Sequence, residues 1–368
     1  MKSRPIPASL RALRALRVLH VDTGLEWRGG QRQLLLLVDG LRADGIESLV
    51  VAQPASPLLH RLKVAGVASA AFRMRNGLDL LAIRRLRRLL ATWQPHVVHA
   101  HDPRAHALLD AALVGRRRGR FLVVTQRTTA LTRRTRRSRA RVSRFVAISS
   151  AVRDALVVEG VTAEGVALVY PGVSAPTADR PRDWRRECGW SADTIVAGVV
   201  GPLTRGAHHA ERDALLTAVP HRFRGRLALV LLGGPASGRG ELHGVRLFRA
   251  GFVHEVHEAL LGLDFLLHPG DAEGLGTAVI EAMAIGVPSI AFDAGGIAEI
   301  VAHERNGLLV APGDAHGFAA AIVRLMEDRA LRATLSASGP VRARQFDVEH
   351  MVAAVLASYR DLIERSAV

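Results

Sequence analysis

Short runs rich in Val, Leu, Ile and Ala alternate with longer amphipathic runs along nearly the whole chain, the pattern of parallel α/β architecture. The first strand is RVLHVDTG at 17–24, ending in a glycine turn, and Gly29-Gly30 leads into a helix over 31–42. Further strands are predicted at 48–54, 96–102, 121–127, 144–150 and 166–172, and RRLRRLL at 84–90 reads as a basic amphipathic helix. Residues 171–181, rich in Pro, Gly and small side chains, predict a linker. A second series follows, with strands at 194–203, 227–234, 245–252, 264–270, 288–293 and 307–310 and helices near 208–219, 255–263, 277–285 and 315–328. The pattern predicts two domains, 1–174 and 175–347, and a segment 348–368 whose helix at 348–364 has no strand after it and is expected to pack back on the first domain. Two consecutive sheets of similar size place a ligand cleft between them, at the carboxyl ends of the strands.

Composition narrows the class. Hydrophobic residues at 49% and charged residues at 23% exclude a largely disordered chain. No uncharged stretch reaches the ~18 apolar residues of a membrane-spanning helix. The basic start MKSRPIPASLRALRAL lacks the apolar core of a secretory signal. A single cysteine, Cys188, excludes an internal disulfide and a cysteine-based zinc cluster, and makes a reducing cytoplasm the expected compartment.

Charge changes the picture more. The net charge is +16, and 29 of the 50 basic residues but only 8 of the 34 acidic ones lie in 1–150. A polycationic front half suits nucleic acid, anionic lipid or a phosphorylated substrate. Nucleic-acid readers interleave aromatics for stacking. Here aromatics are 4%, the Arg runs at 116–118 and 133–137 contain none, and nucleic acid is not an expected partner. The stretch 84–90 offers arginines and leucines for docking on an anionic membrane surface.

The residues richest in chemistry run from His268 to Asp314, HPGDAEGLGTAVIEAMAIGVPSIAFDAGGIAEIVAHERNGLLVAPGD. A strand ends at His268-Pro269, a loop Glu273-Gly274-Leu275-Gly276 follows, and a helix opens at Thr277 with Glu281 inside its first turn or so. Loop glycines let backbone N–H groups approach a ligand, and a helix N-terminus favours a phosphate. Glu273 and Glu281 would flank that phosphate and accept hydrogen bonds from sugar and ribose hydroxyls. The pair His208-His209 has no carboxylate at metal-ligand spacing and reads as a solvated helix start. No strand is followed by G-x-G-x-x-G, which disfavours a nicotinamide dehydrogenase.

These elements, in order, resemble the E-x7-E signature of the retaining GT-B glycosyltransferases of family four, with the downstream GG-x-x-E and NG-L-L-V-x-P-G-D segments. EWRGGQRQ, HVVHAHDPRAH and RFVAISSAVRDAL…GV…VALVYPGVS resemble that family's front half, so the likeness covers nearly the whole chain. The resemblance implies a GT-B fold, two Rossmann-like parallel-sheet domains facing across a cleft. It implies metal-independent transfer of a sugar from a nucleotide-diphosphate-sugar donor, a substrate and not a cofactor, to a glycan, lipid-linked or small-molecule acceptor. Cell-envelope polysaccharide synthesis at the inner membrane face is the setting it suggests. Glu281 would hold the ribose, Glu273 the transferred sugar, and the amides of Gly274, Leu275 and Gly276, with Gly29 and Gly30, the sugar and diphosphate. Phe252 and Val253 would lie against the base. His101 would sit beside the anomeric centre, with His99 as the alternative.

The chain departs from the family pattern at three places: the family's HPS is HPG here, at Gly270, the stretch 234–245 is short for the helix the family places there, and the third bears on the donor diphosphate. Pro202 and Ala207 stand where the family carries an Arg and a Lys on the donor diphosphate, leaving Arg205, His209 or Arg212 as the candidate cations. A leaving diphosphate needs its developing charge stabilised. The alternative function is therefore a degenerate, non-catalytic GT-B protein that binds nucleotide or a partner.

Overall fold

The structure, a computed structural model, describes residues 16–174, 180–201, 209–253, 256–270 and 274–367. It divides into two compact units: Met1–Gly172 with Val348–Val368, and Val173–Asp347.

In the first unit seven strands form one sheet: β1 (Arg17–Val21), β2 (Glu47–Ala52), β3 (Ser69–Ala71), β4 (Val97–Ala100), β5 (Phe121–Gln126), β6 (Arg144–Ala147) and β7 (Val166–Leu168). Their order is β3-β2-β1-β4-β5-β6-β7, and every pairing is parallel. The strands are covered on both faces, which is why they read as nearly continuous apolar runs. The period of two sorts their side chains. Leu19, Val98, Ala100, Leu122 and Val124 pack with the helices Leu80–Trp93 and Pro103–Ala112. Val18, Val97, Val123 and Val146 pack with the helices Gly29–Ala43 and Val348–Ala367. The C-terminal helix is thus part of this core. A Cβ on Gly40 would stand 2.4 Å from Val352 Cγ2, Tyr359 is fully buried, and Arg144 pairs with Asp361.

The basic run 84–90 lies within the helix Leu80–Trp93, and here the structure corrects the sequence reading. Ala82, Ile83, Leu86 and Leu90 fall at helical spacing on the core face and are buried. Arg87 donates to Ala111 O at 3.1 Å. The exposed apolar side chains are instead Leu78, Leu80 and Leu81, at 68%, 74% and 67% exposure.

The second unit holds six strands: β8 (Ile195–Val200), β9 (Leu227–Leu242), β10 (Val245–Gly251), β11 (Phe265–His268), β12 (Ser289–Phe292) and β13 (Leu308–Val310). They are ordered β10-β9-β8-β11-β12-β13. One face of the sheet, with Ala197, Leu229, Phe265, Leu267, Ile290 and Phe292, packs on the helix Ala315–Glu327 through Phe318 and Ile322. The helix Arg329–Ala343 went unread in the sequence because Gly339 and Pro340 interrupt it. Packing holds it: Leu335, Gly339 and Ala343 are buried, and a Cβ on Gly339 would lie 2.8 Å from Met283 O.

Between β9 and β10 the chain takes a route the pattern did not predict. β9 continues far past Gly234, and Val245–Arg249 runs antiparallel to Gly238–Leu242 through the two-residue turn His243-Gly244, both at positive φ. Arg246–Arg249 is also in register with Ala228–Leu231 in rising order, so β10 lies beside the first half of β9 as well. The connecting segment is spent on an edge strand. Gly233, Gly234, Pro235, Gly238 and Gly240 leave it little capacity for a crossover helix.

Candidate active site

In sheets of this order, ligands bind outside the carboxyl ends of the strands where the order reverses. In the first unit that place is the end of β1 and β4. Asp22 and Thr23 follow β1, His101 and Asp102 follow β4, and Arg127 follows β5.

The carboxylates there build loops. Asp102 caps the helix Pro103–Ala112, accepting from Arg104 N at 2.8 Å and Ala105 N at 2.9 Å. It also accepts from Thr23 N at 2.6 Å and Thr23 Oγ1 at 2.8 Å, which ties the end of β1 to the end of β4. Asp22 accepts from Gly24 N at 2.8 Å and Gln31 Nε2 at 3.0 Å, fixing the glycine loop on the helix Gly29–Ala43. Burial first, and then the neighbouring Asp102, push the Asp22 carboxyl above the ordinary range. Arg127 donates from Nη2 to Gly30 O at 3.1 Å and from Nε to His101 O at 3.3 Å. A Cβ on Gly30 would stand 3.1 Å from the guanidinium carbon, so Gly30 leaves room for the cation.

Three histidines share one face of this sheet. The β1–β4 register sets His20 opposite His99, and the period of two puts His101 on the same side. His20 Nδ1 and His101 Nε2 are 3.0 Å apart. His99 meets Tyr359 OH through Nδ1 at 2.6 Å and Thr125 Oγ1 through Nε2 at 2.7 Å. Burial lowers the His20 pKa to about 3. Burial first, then the neighbouring rings and the Arg127 cation, hold His99 and His101 well below the ordinary histidine value. All three are neutral at pH 7. His99, His101, Thr125, Arg127 and Gln33 line a cavity of about 40 Å³ whose other wall includes Leu34, Val169 and Met351.

The ring nitrogens of the three histidines lie within 4.8 Å of one another, the one such convergence among the described residues. Both His99 nitrogens already meet hydroxyls, and the Arg127 cation stands beside the group. The chemistry fits two separate sets of neutral hydrogen bonds better than a cation site.

In the second unit the reversal falls between β8 and β11. β11 ends at His268, and Gly274-Leu275-Gly276 leads into the helix Thr277–Ala284. Gly276 is the N-cap residue at φ 85°, left-handed backbone that favours glycine, and a Cβ there would lie 2.5 Å from Ile297 Cδ1. Glu281 is the fifth residue of this helix, one position past the first turn, and is buried with Val279, Ile280, Ala282 and Met283. Leu275 is buried, while Phe252, just after β10, is half-exposed with Val253 beside it. Glu273, Pro202, Arg205 and Ala207 lie outside the described residues, as do the side chains of His209 and Arg212.

His20, Asp22, Arg127 and Tyr359 were not singled out in the sequence. For the first three a signal existed, since each lies in the last residues of a predicted strand or directly at its carboxyl end. Tyr359 offered none, because its role depends on where the last helix packs.

Family models match both units: "Glycosyltransferase Family 4" over residues 27–175 and "Glycosyl transferases group 1" over residues 195–328. A GDP-mannose-dependent alpha-mannosyltransferase from Mycolicibacterium smegmatis is 31% identical over 357 residues, covering 87% of this chain and 90% of its own length. The chain belongs to glycosyltransferase family 4. A D-inositol 3-phosphate glycosyltransferase from Stackebrandtia nassauensis is 32% identical over 224 residues, and this chain spans about half of that relative, 50% of its length. Among solved structures, Anabaena HepE in complex with UDP-glucose superposes with a TM-score of 0.79 at 22% identity, covering 93% of this chain and 100% of that one. Sucrose-phosphate synthase from Thermosynechococcus elongatus gives 0.73 at 20% identity, covering 95% and 100%. The two parallel-dominated sheets therefore have the GT-B fold.

Proposed function

We propose that this family 4 glycosyltransferase moves a sugar from a nucleotide-diphosphate-sugar donor to an acceptor hydroxyl with retention at the anomeric carbon. The observation that carries the reading is the glycine loop Gly274–Gly276 opening a helix at the reversal point of the second sheet, with Glu281 buried in that helix. Such a loop offers amides and the positive end of a helix to a diphosphate. Glu281 would accept the ribose hydroxyls, Glu273 the hydroxyls of the transferred sugar, and Phe252 with Val253 would cover the base. One relative is by name GDP-mannose-dependent and one solved neighbour is in complex with UDP-glucose, so the base is left to experiment.

In the first unit, His101 would face the reacting sugar. The acceptor oxygen attacks the anomeric carbon, the carbon–oxygen bond to the diphosphate breaks, and the departing diphosphate takes the electron pair and the acceptor proton. Asp22 and Asp102 stand near His101, but both are committed to holding loops, which supports a front-face route over a carboxylate nucleophile. Helix ends and cationic side chains would supply the charge that other enzymes take from a metal. Arg127, which donates to Gly30 O, would add a cation in the first unit, and Arg205 remains a further candidate. The acceptor would be a glycan or lipid-linked saccharide of the cell envelope. Exposed Arg84, Arg85 and Arg88, with Leu78, Leu80 and Leu81, would hold the first unit on an anionic membrane surface. No helix among the described residues is long and apolar enough to cross a membrane.

A thermal-shift panel of uridine, guanosine, adenosine and thymidine diphosphates, followed by turnover of the matching nucleotide sugars, tests the reading. One diphosphate should stabilise the protein, by about 2.7 kcal/mol at a hundredfold its Kd. Stabilisation by none, with no sugar released from any donor, would overturn it.

A further inference from the structure

The contact between His20 and His101 has a consequence for the chemistry of His101. Both rings are buried and neutral, so each carries one proton, and the 3.0 Å contact between His20 Nδ1 and His101 Nε2 requires one ring to donate and the other to accept. If His101 donated, the His20 proton would sit on Nε2, a buried nitrogen with no hydrogen-bond partner. A buried N–H without an acceptor is among the rarest groups in folded proteins and the more costly of the two arrangements. With the His20 proton on Nδ1, the orphan is only a lone pair. His20 then donates to His101 Nε2, and His101 must carry its own proton on Nδ1. His99 does not interfere, because Tyr359 and Thr125 hydroxyls meet both of its nitrogens. Arg127 touches His101 only through the backbone carbonyl.

We infer that His20 is a positioning residue that fixes His101 in the Nδ1-protonated form, so that His101 presents an N–H donor, not a lone pair, to an oxygen of the bound sugar. The inference rests on the placement of His101 at the reacting sugar proposed above. A donor there suits a sugar hydroxyl or a ring oxygen and excludes His101 as the base that takes the acceptor proton. The diphosphate must take that proton instead, in agreement with the front-face route.

The test is a long-range ¹H–¹⁵N correlation spectrum of protein labelled at histidine, with the His101 signals assigned by their loss in His101→Ala. Wild-type His101 should show the Nδ1–H pattern. In His20→Asn, whose amide can take the place of Nδ1 and donate, that pattern and most of the turnover should survive. In His20→Leu the pattern should be lost, and kcat with UDP-glucose or GDP-mannose, whichever is turned over, should fall about ten- to hundredfold at unchanged KM. An Nε2–H pattern for wild-type His101 overturns the inference without any variant, so a His20→Leu protein that does not fold cannot rescue it. A folded His20→Leu protein with an unaltered pattern overturns it too. Full turnover by His101→Ala would instead remove the role assigned to His101 while leaving the tautomer result standing.

Discussion

The carboxyl ends of the two sheets are built by opposite means. In the first unit the site is written in side chains: Asp102 accepts four hydrogen bonds, Asp22 anchors the glycine loop, His20 meets His101, and His99 is held between Tyr359 and Thr125. In the second the described part is written mostly in backbone, a glycine loop and a helix end, with Glu281 buried in that helix. Side-chain networks fix directions and proton positions, which suits a reacting centre. Backbone amides at a helix start bind an anion whatever is attached to it, which suits the diphosphate common to all nucleotide sugars. The two units should therefore break differently.

Acid should strike the first unit hardest. His20, His99 and His101 are held neutral in the fold, whereas the unfolded chain takes up protons as pH falls below about 6.5. The His20 contribution is complete above that value and is lost on the way down to about 3, where His20 itself protonates, at about 1.4 kcal/mol per pH unit within that window. His99 and His101 act in the same direction. Urea melts at pH 7.0 and 5.5 should show the loss, and hydrogen exchange should place it in β1 and β4. Equal stability at both pH values would mean the histidines are not neutral in the fold.

Removing a side chain should break the first site, and adding one should break the second. Asp102→Ala takes away a helix cap and the link to Thr23, and should lower stability by about 2–4 kcal/mol in chemical denaturation. A loss below 0.5 kcal/mol, roughly the scatter of neutral surface changes, would show the link to be dispensable. Gly276→Ala adds a methyl group at φ 85° against Ile297, and should cost about 1–2 kcal/mol while weakening nucleotide binding. Unchanged stability and binding would show that the loop relaxes freely.

The same contrast governs how much could be read from the sequence. Alternating apolar and amphipathic runs revealed both sheets, because parallel strands buried on two faces leave an unmistakable apolar signal. Gly274–Gly276 and Glu281 were legible, since a backbone site is local and its glycines must be adjacent in the chain. The meeting of His20, His99 and Tyr359 was not, because it depends on strand register and on the return of the last helix, across separations of 79 and 260 residues. Leucines 86 and 90 misled for a related reason: an amphipathic run states that a face is apolar, not what covers it. The hairpin Gly238–Arg249 was hinted at by a stretch short for a helix, but only pairing could show what replaced one.

The most direct test of a nucleotide-holding second unit and a reacting first unit is a paired measurement on two folded variants, Glu281→Gln and His101→Ala. For each, calorimetry gives the Kd of the nucleoside diphosphate and a release assay gives kcat with the matching nucleotide sugar. Glu281→Gln should weaken nucleotide binding about ten- to hundredfold, the worth of a hydrogen bond to a charged group. His101→Ala should leave that Kd unchanged and lower kcat by about a hundredfold or more. The same pattern of loss in both variants, or undiminished kcat in His101→Ala, would contradict the division of labour.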